Sequence, residues 1–135
     1  MSVKGPKILV VDDHAPARDL VKTILHSIGF GNVSTAGDGG EAIRYISFND
    51  VDLVVCDWNM PFISGIEVLK AVRSMEDKKH IPFIMLTAEA YRENVMAAVE
   101  LGVSAYVSKP FTPEVLGDKV KEVISETYKP GSKSK

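Results

Sequence analysis

The chain is predicted to fold as one α/β domain, a doubly wound five-stranded parallel sheet with five helices on both faces. Three observations predict it. Continuous apolar runs at residues 8 to 11, 53 to 56 and 83 to 86 lack the polar alternation of a strand with one wet face, so helices must cover both sides. Between the runs, apolar residues recur at three- and four-residue steps, the spacing of amphipathic helices. The two patterns alternate five times along 135 residues, which implies right-handed crossovers in one open sheet.

The first strand, Ile8-Leu9-Val10-Val11, runs directly into Asp12 and Asp13. Ala17, Leu20, Val21, Ile24, Leu25 and Ile28 then mark the core face of a helix, and Gly29 follows where a left-handed C-terminal cap is useful. Residues 32 to 36, Asn-Val-Ser-Thr-Ala, form a weaker strand whose small polar residues suit a sheet edge. Ala42, Ile43 and Ile46 mark a short second helix. The run Leu-Val-Val-Cys is a central strand ending at Asp57, and Ile66, Leu69 and Val72 make a third helix after Gly65.

Phe-Ile-Met-Leu ends at Thr87, and Val95, Met96 and Val99 give a fourth helix closed by Gly102. Ala-Tyr-Val-Ser ends at Lys109; Leu116, Val120, Val123 and Ile124 give the fifth helix, with Pro113 near its start. One domain over residues 1 to 128 is expected, followed by a flexible basic tail at 129 to 135, where a helix breaker, small polar residues and like charges coincide.

A chain of this length buries about two thirds of its unfolded surface without covalent staples. The net charge of -2 gives no long-range pull toward nucleic acid or an anionic membrane, so neither is an expected partner, and a monomer is expected. The single cysteine, Cys56, lies inside an apolar run and reads as a small buried hydrophobe, which excludes a disulfide framework and fits a reducing compartment. With no apolar run long enough to span a bilayer or serve as a signal peptide, a cytoplasmic location is the expectation.

Four of the strands end in polar residues, and in a doubly wound sheet the carboxyl ends of the strands share one crevice. Asp12 with Asp13, then Asp57, Thr87 and Lys109 would therefore converge there. An isolated Asp pair after a strand most simply caps the next helix, and an isolated Lys before a proline is most simply a surface residue in a turn. Three carboxylates together are different. Each close pair repels by up to about 4 kcal/mol at an effective dielectric near 20, so the cluster should recruit a divalent cation, and hard oxygen ligands suit magnesium.

An aspartate carboxylate can accept a phosphoryl group as an acyl phosphate, and Asp57 is the candidate nucleophile because its strand is central. Lys109 and Thr87 would meet the phosphoryl oxygens from one side while the acidic pair holds metal on the other.

The segments Val10-Val11-Asp12-Asp13, Asp57-Trp58-Asn59-Met60-Pro61, Leu86-Thr87-Ala88-Glu89-Ala90 and Lys109-Pro110-Phe111-Thr112 resemble the receiver domains of two-component response regulators, and most of all the stand-alone chemotaxis regulators among them. The match covers residues 7 to 127. The resemblance implies a flavodoxin-like strand order 2-1-3-4-5. It implies phosphorylation of Asp57, magnesium held by Asp12, Asp13, Asp57 and the backbone carbonyl of Asn59, and phosphoryl contacts from Thr87 and Lys109. It also implies a cis Lys109–Pro110 bond, and tuning of hydrolysis by the side chains of Asn59 and Glu89.

On the same resemblance Thr87 and Tyr106 form a switch, although by itself an aromatic at Tyr106 reads as packing. The output face would carry Arg92, Val99, Tyr106 and Lys119, a mixed basic and apolar surface able to take an amphipathic peptide. Expected partners are a histidine kinase as donor, a flagellar motor switch protein as target, and a phosphatase. The chain would catalyse only its own phosphorylation and slow dephosphorylation and would be no enzyme in the ordinary sense.

Two positions depart from the family pattern: His14 follows the acidic pair, and Ser64 precedes Gly65 where an acidic residue or amide is common. Trp58, beside Asp57, is expected to be partly exposed.

Other readings exist. A magnesium phosphatase with an aspartyl nucleophile usually has a second Asp two residues on, where this chain has Asn59, and a cap domain, for which there is no room. A flavin-binding module would need a Ser/Thr-rich phosphate loop where this chain places acids. Within the receiver class, a phosphate sink, a phosphorelay intermediate or a fragment of a larger regulator remain alternatives to motor control.

Overall fold

The computed structural model describes residues 5–88 and 92–129, the side chains of 92–94 excepted. Strands β1 (Ile8–Val11), β2 (Val33–Ala36), β3 (Leu53–Asp57), β4 (Phe83–Thr87) and β5 (Ala105–Ser108) alternate with helices α1 (Ala15–Ser27), α2 (Gly39–Phe48), α3 (Gly65–Ser74), α4 (Arg92–Glu100) and α5 (Pro113–Thr127). All strand pairs are parallel and the order is β2-β1-β3-β4-β5, as expected. The weak, small-residue strand β2 lies at an edge. The strands built on the three unbroken apolar runs, β1, β3 and β4, lie at the centre.

Because successive side chains of a strand point to opposite faces, each central strand feeds two cores. Ile8, Val10, Val55, Ile84 and Leu86 meet α1 and α5 through Val21, Ile24, Leu25, Leu116 and Val120. Leu9, Val11, Val54, Cys56, Phe83 and Met85 meet α2, α3 and α4 through Ile46, Leu69, Val72 and Ala98. Both faces are dry, which is why the strands needed no polar alternation.

The two cap glycines act as expected. Gly29 has φ of 100° and its N–H donates to His26 O, while Phe30 N–H donates to Leu25 O; Gly102, at φ 80°, repeats the pattern with Val99 O and Val103 N–H to Ala98 O. These paired bonds satisfy carbonyls that the helix ends would otherwise orphan. Asp38 caps α2 by accepting from Glu41 N–H at 2.7 Å, and Thr112 caps α5 by accepting from Val115 N–H at 3.1 Å.

Helix α4 corrects the sequence reading. Its expected core stripe included Met96 and Val99, yet these are 53% and 62% exposed, and among the described side chains of the helix the buried one is Ala98. A small side chain lets the helix approach the sheet and turns the larger apolar groups outward. Leu20 on α1 likewise stands 55% exposed. Of the expected basic tail, Lys129 is described and residues 130 to 135 lie outside the described residues.

One cation ties the far end of the fold together. Arg73, at the end of α3, donates to Leu101 O at 3.0 Å, Gly102 O at 2.7 Å, Lys79 O at 2.9 Å and Ile81 O at 2.8 Å. It thus joins the α4 cap to the loop entering β4. Arg73→Ala is expected to cost about 2 to 4 kcal/mol, since it strands carbonyls that a guanidinium now satisfies. Denaturant unfolding checks the loss, and hydrogen exchange should quicken around residues 79 to 81 and 101 to 103.

Candidate functional site

The strand register brings the chemistry-bearing residues to one edge. Val11 pairs with Cys56, Asp57 with Leu86, and Thr87 with Ser108, so Asp12, Asp57, Thr87 and Lys109 succeed one another across four adjacent strand ends. Carboxylate oxygens of Asp12, Asp13 and Asp57 lie within 4.8 Å of one another. Asp12 and Asp57 are buried, 3% and 5% exposed, whereas Asp13 is exposed.

Lys109 closes the crevice. Its Nζ stands 2.6 Å from Asp57 Oδ1 and 3.8 Å from Asp12 Oδ2. The strand-end geometry holds it there: Lys109 N–H donates to Thr87 O at 2.7 Å, and the Lys109–Pro110 bond is cis, as the resemblance implied. One ammonium faces three carboxylates. The balance remains unfavourable, for burial pushes the Asp57 carboxyl above its usual range, the Lys109 hydrogen bond and charge pull it back, and Asp12 and Asp13 push it up again.

Neither Asp of the pair caps α1 in the ordinary way. The cap residue is His14, without a side-chain cap bond, and Asp12 Oδ1 accepts from His14 N–H at 2.9 Å. Arg18 Nη1 donates to Asp12 O at 2.8 Å and holds the same turn from the helix side, a contact the sequence did not announce. Asp12 Oδ2 is left buried without a hydrogen-bond partner among the described residues. An orphaned buried carboxylate oxygen costs free energy unless something fills its lone pairs, and a hard divalent cation fits this oxygen set.

The loop after β3 is held against its own strand. Gly65 N–H donates to Trp58 O at 2.8 Å, and a Cβ at Gly65 would collide with Asp57 O and stand 2.9 Å from Met85 Sδ and Trp58 Cα. Only glycine permits this approach, so Gly65 positions the Asp57 backbone. Ser64, the departure from the family pattern, donates its N–H to Glu67 Oε1 at 2.8 Å and begins α3 without loss of order. Trp58 is 8% exposed rather than partly exposed, because it packs into the core shared with α3 and β4.

Thr87 ends β4, 1% exposed. Tyr106 is half-buried in β5, and its hydroxyl is buried with no hydrogen-bond partner among the described residues. Asn59 is exposed beside the crevice, and Glu89 lies outside the described residues. On the expected output face Val99 is exposed, and Lys119 is engaged by Glu122 Oε1 at 3.1 Å, so its charge is partly offset within α5. The side chain of Arg92 lies outside the described residues.

A five-stranded doubly wound sheet with a buried acidic cluster and a lysine clamped on the central carboxylate defines the class, and the chain belongs to the response regulator receiver domain family, whose model matches residues 8–121. Chemotaxis protein CheY-3 of Vibrio cholerae is 44% identical over 121 residues, covering 90% of this chain and 93% of that one. The solved structure of chemotaxis response regulator CheY4 of Vibrio cholerae superposes with a TM-score of 0.82 at 35% identity, covering 89% of this chain and 99% of that one. The receiver domain of a sensor histidine kinase from Pseudomonas aeruginosa, solved with a magnesium ion coordinated in its active site cleft, superposes with a TM-score of 0.81 at 26% identity, covering 90% and 99%.

Two outcomes follow from the charge balance. A carboxyl whose pKa is raised by folding holds its proton longer folded than unfolded, so its contribution is complete below the ordinary value of 3.8 and is lost as pH rises through the raised pKa. Metal-free protein should therefore lose stability over that window, and Asp57→Asn should flatten the loss; melting curves from acid to neutral pH check it. At neutral pH, magnesium at 100 times its Kd should add about 2.7 kcal/mol, an increment that Asp13→Ala largely abolishes.

Proposed function

We propose that this chain is a phosphorylation-activated switch of a two-component system that accepts a phosphoryl group on Asp57 from a histidine kinase. The observation that carries the proposal is the 2.6 Å contact of Lys109 with Asp57 inside an acidic cluster in which buried Asp12 Oδ2 has no hydrogen bond among the described residues. Burial makes the Asp57 carboxylate poorly solvated, and in the reaction its oxygen attacks phosphorus while the bond from phosphorus to the donor imidazole nitrogen breaks. That nitrogen keeps the electron pair.

Asp12, Asp13, Asp57 and the Asn59 carbonyl would hold magnesium, which supplies positive charge to the transferring phosphoryl oxygens. Lys109 supplies the same on the opposite side, and exchanges its Asp57 contact for a phosphoryl oxygen once the carboxylate is esterified. Asn59 and Glu89 tune access of water to the acyl phosphate.

Lys109 and Tyr106 share β5 and its exit, and Thr87 neighbours both, so a hydroxyl drawn toward the phosphoryl group opens space into which Tyr106 turns. Among the described residues the buried Tyr106 hydroxyl has no hydrogen-bond partner, which supports a ring free to turn. A bias of a few kcal/mol toward the inward state suffices to shift the population. The output surface is α4, β5 and α5, where exposed Met96 and Val99 offer the apolar contacts that an amphipathic segment requires.

The chemotaxis names of relatives favour a flagellar motor switch protein as target, with a phosphatase to end the signal. No helix among the described residues is long and apolar enough to cross a membrane.

Acetyl phosphate with magnesium is expected to add one phosphoryl group, read by intact mass, and Asp57→Asn to prevent it. An unmodified wild type, or an undiminished adduct in the variant, would contradict the reading.

A further inference from the structure

Phe62 is the most exposed large apolar residue described, 99% accessible, and it is also the one non-glycine residue described with a positive φ, 67°. Ile63 N–H donates to Pro61 O at 2.7 Å, so Phe62 is the centre of a three-residue turn of the strained, positive-φ kind. Glycine or asparagine adopts that backbone at least cost, and a bulky aromatic is an outlier there. Phe62 thus combines backbone strain with full loss of apolar burial, and its side chain returns nothing to the fold. Strained residues of this kind concentrate at ligand clamps and functional loops.

Its place gives the strain a use. The loop from Trp58 to Ser64 leaves the carboxyl end of β3, the edge at which Asp57 lies 5% exposed on the crevice floor. Phe48, the other strongly exposed phenylalanine at 82%, sits at the end of α2, toward the opposite edge of the sheet. On the far side of the crevice, Ala17, Leu20, Val21, Pro110 and Phe111 line an apolar cavity of about 380 Å³. A protein that lowers a phosphohistidine onto Asp57 must come to rest on this rim, and a few side chains buried in partner pockets, large aromatics among them, carry most of an interface's binding energy.

We propose that Phe62 is a specificity-determining residue for phosphotransfer, an aromatic knob that inserts into an apolar pocket of the phosphohistidine-bearing donor protein. The inference rests on the phosphoacceptor reading above. It separates protein donors, which cover the rim, from small donors, which reach Asp57 without touching Phe62.

The test compares wild type with Phe62→Asn and Phe62→Leu, using acetyl phosphate as the small donor and a panel of purified, autophosphorylated histidine-kinase phosphotransfer domains as the protein donors. Phe62→Asn is expected to raise the melting temperature, since asparagine tolerates the turn. It should also lower the ratio of protein-donor to small-donor rates at least about tenfold, chiefly through KM, as for loss of one aromatic anchor. Phe62→Leu should recover part of the ratio. An unchanged ratio overturns the inference whatever the melting temperature does, as does a wild type that acetyl phosphate loads and no domain of the panel does. A wild type that neither donor loads overturns the phosphoacceptor reading itself.

Discussion

Three carboxylates at the carboxyl edge of one parallel sheet are the constraint on which this structure depends. Two of them are buried, and the ammonium of Lys109 reaches in from the end of β5, two strands away from β3. The Lys109 contact reduces the repulsion without removing it, which is why burial and the two neighbouring acids still win at Asp57. A site left in electrostatic debt is one that a cation and a phosphoryl group can complete. The fold supplies the rigid frame: central strands dry on both faces, a turn pinned by Arg18, and a glycine that lets α3 start against the Asp57 backbone.

In the proposed switch, one short strand would link the chemistry to the signal. β5 ends one residue before Lys109 and carries Tyr106, so the group that touches Asp57 and a ring whose hydroxyl has no partner among the described residues belong to one segment. At the other end of the fold Arg73 fastens the C-terminal cap of α4 to α3 and the entry of β4. α4 is therefore tied at its C-terminal end to α3 and to the loop entering β4. Its outward Met96 and Val99 place apolar surface on the exposed side of the helix.

Much of this was legible in the sequence because long-range burial leaves a local trace. Unalternating apolar runs marked the covered strands, and Gly29 and Gly102 marked helix ends that proved to be left-handed caps. The polar strand ends could be assembled into a crevice because parallel strands place their carboxyl ends together. What stayed hidden depended on packing partners distant in sequence. Nothing local says that α4 would bury Ala98 rather than Met96, that Trp58 would find a place in the core, or that Arg73 would meet four carbonyls. Gly65 and Phe62 were equally silent, since one matters through a close approach and the other through a backbone angle.

The central claim is that the central carboxylate, rather than either metal-side acid, carries the phosphoryl group. Borohydride reduces an aspartyl phosphate to homoserine, which marks the modified residue permanently. Protein loaded with acetyl phosphate and magnesium, reduced, digested and sequenced by tandem mass spectrometry should show homoserine at position 57 and nowhere else. Homoserine at position 12 or 13, or none at all in protein whose intact mass shows the adduct, would contradict the account.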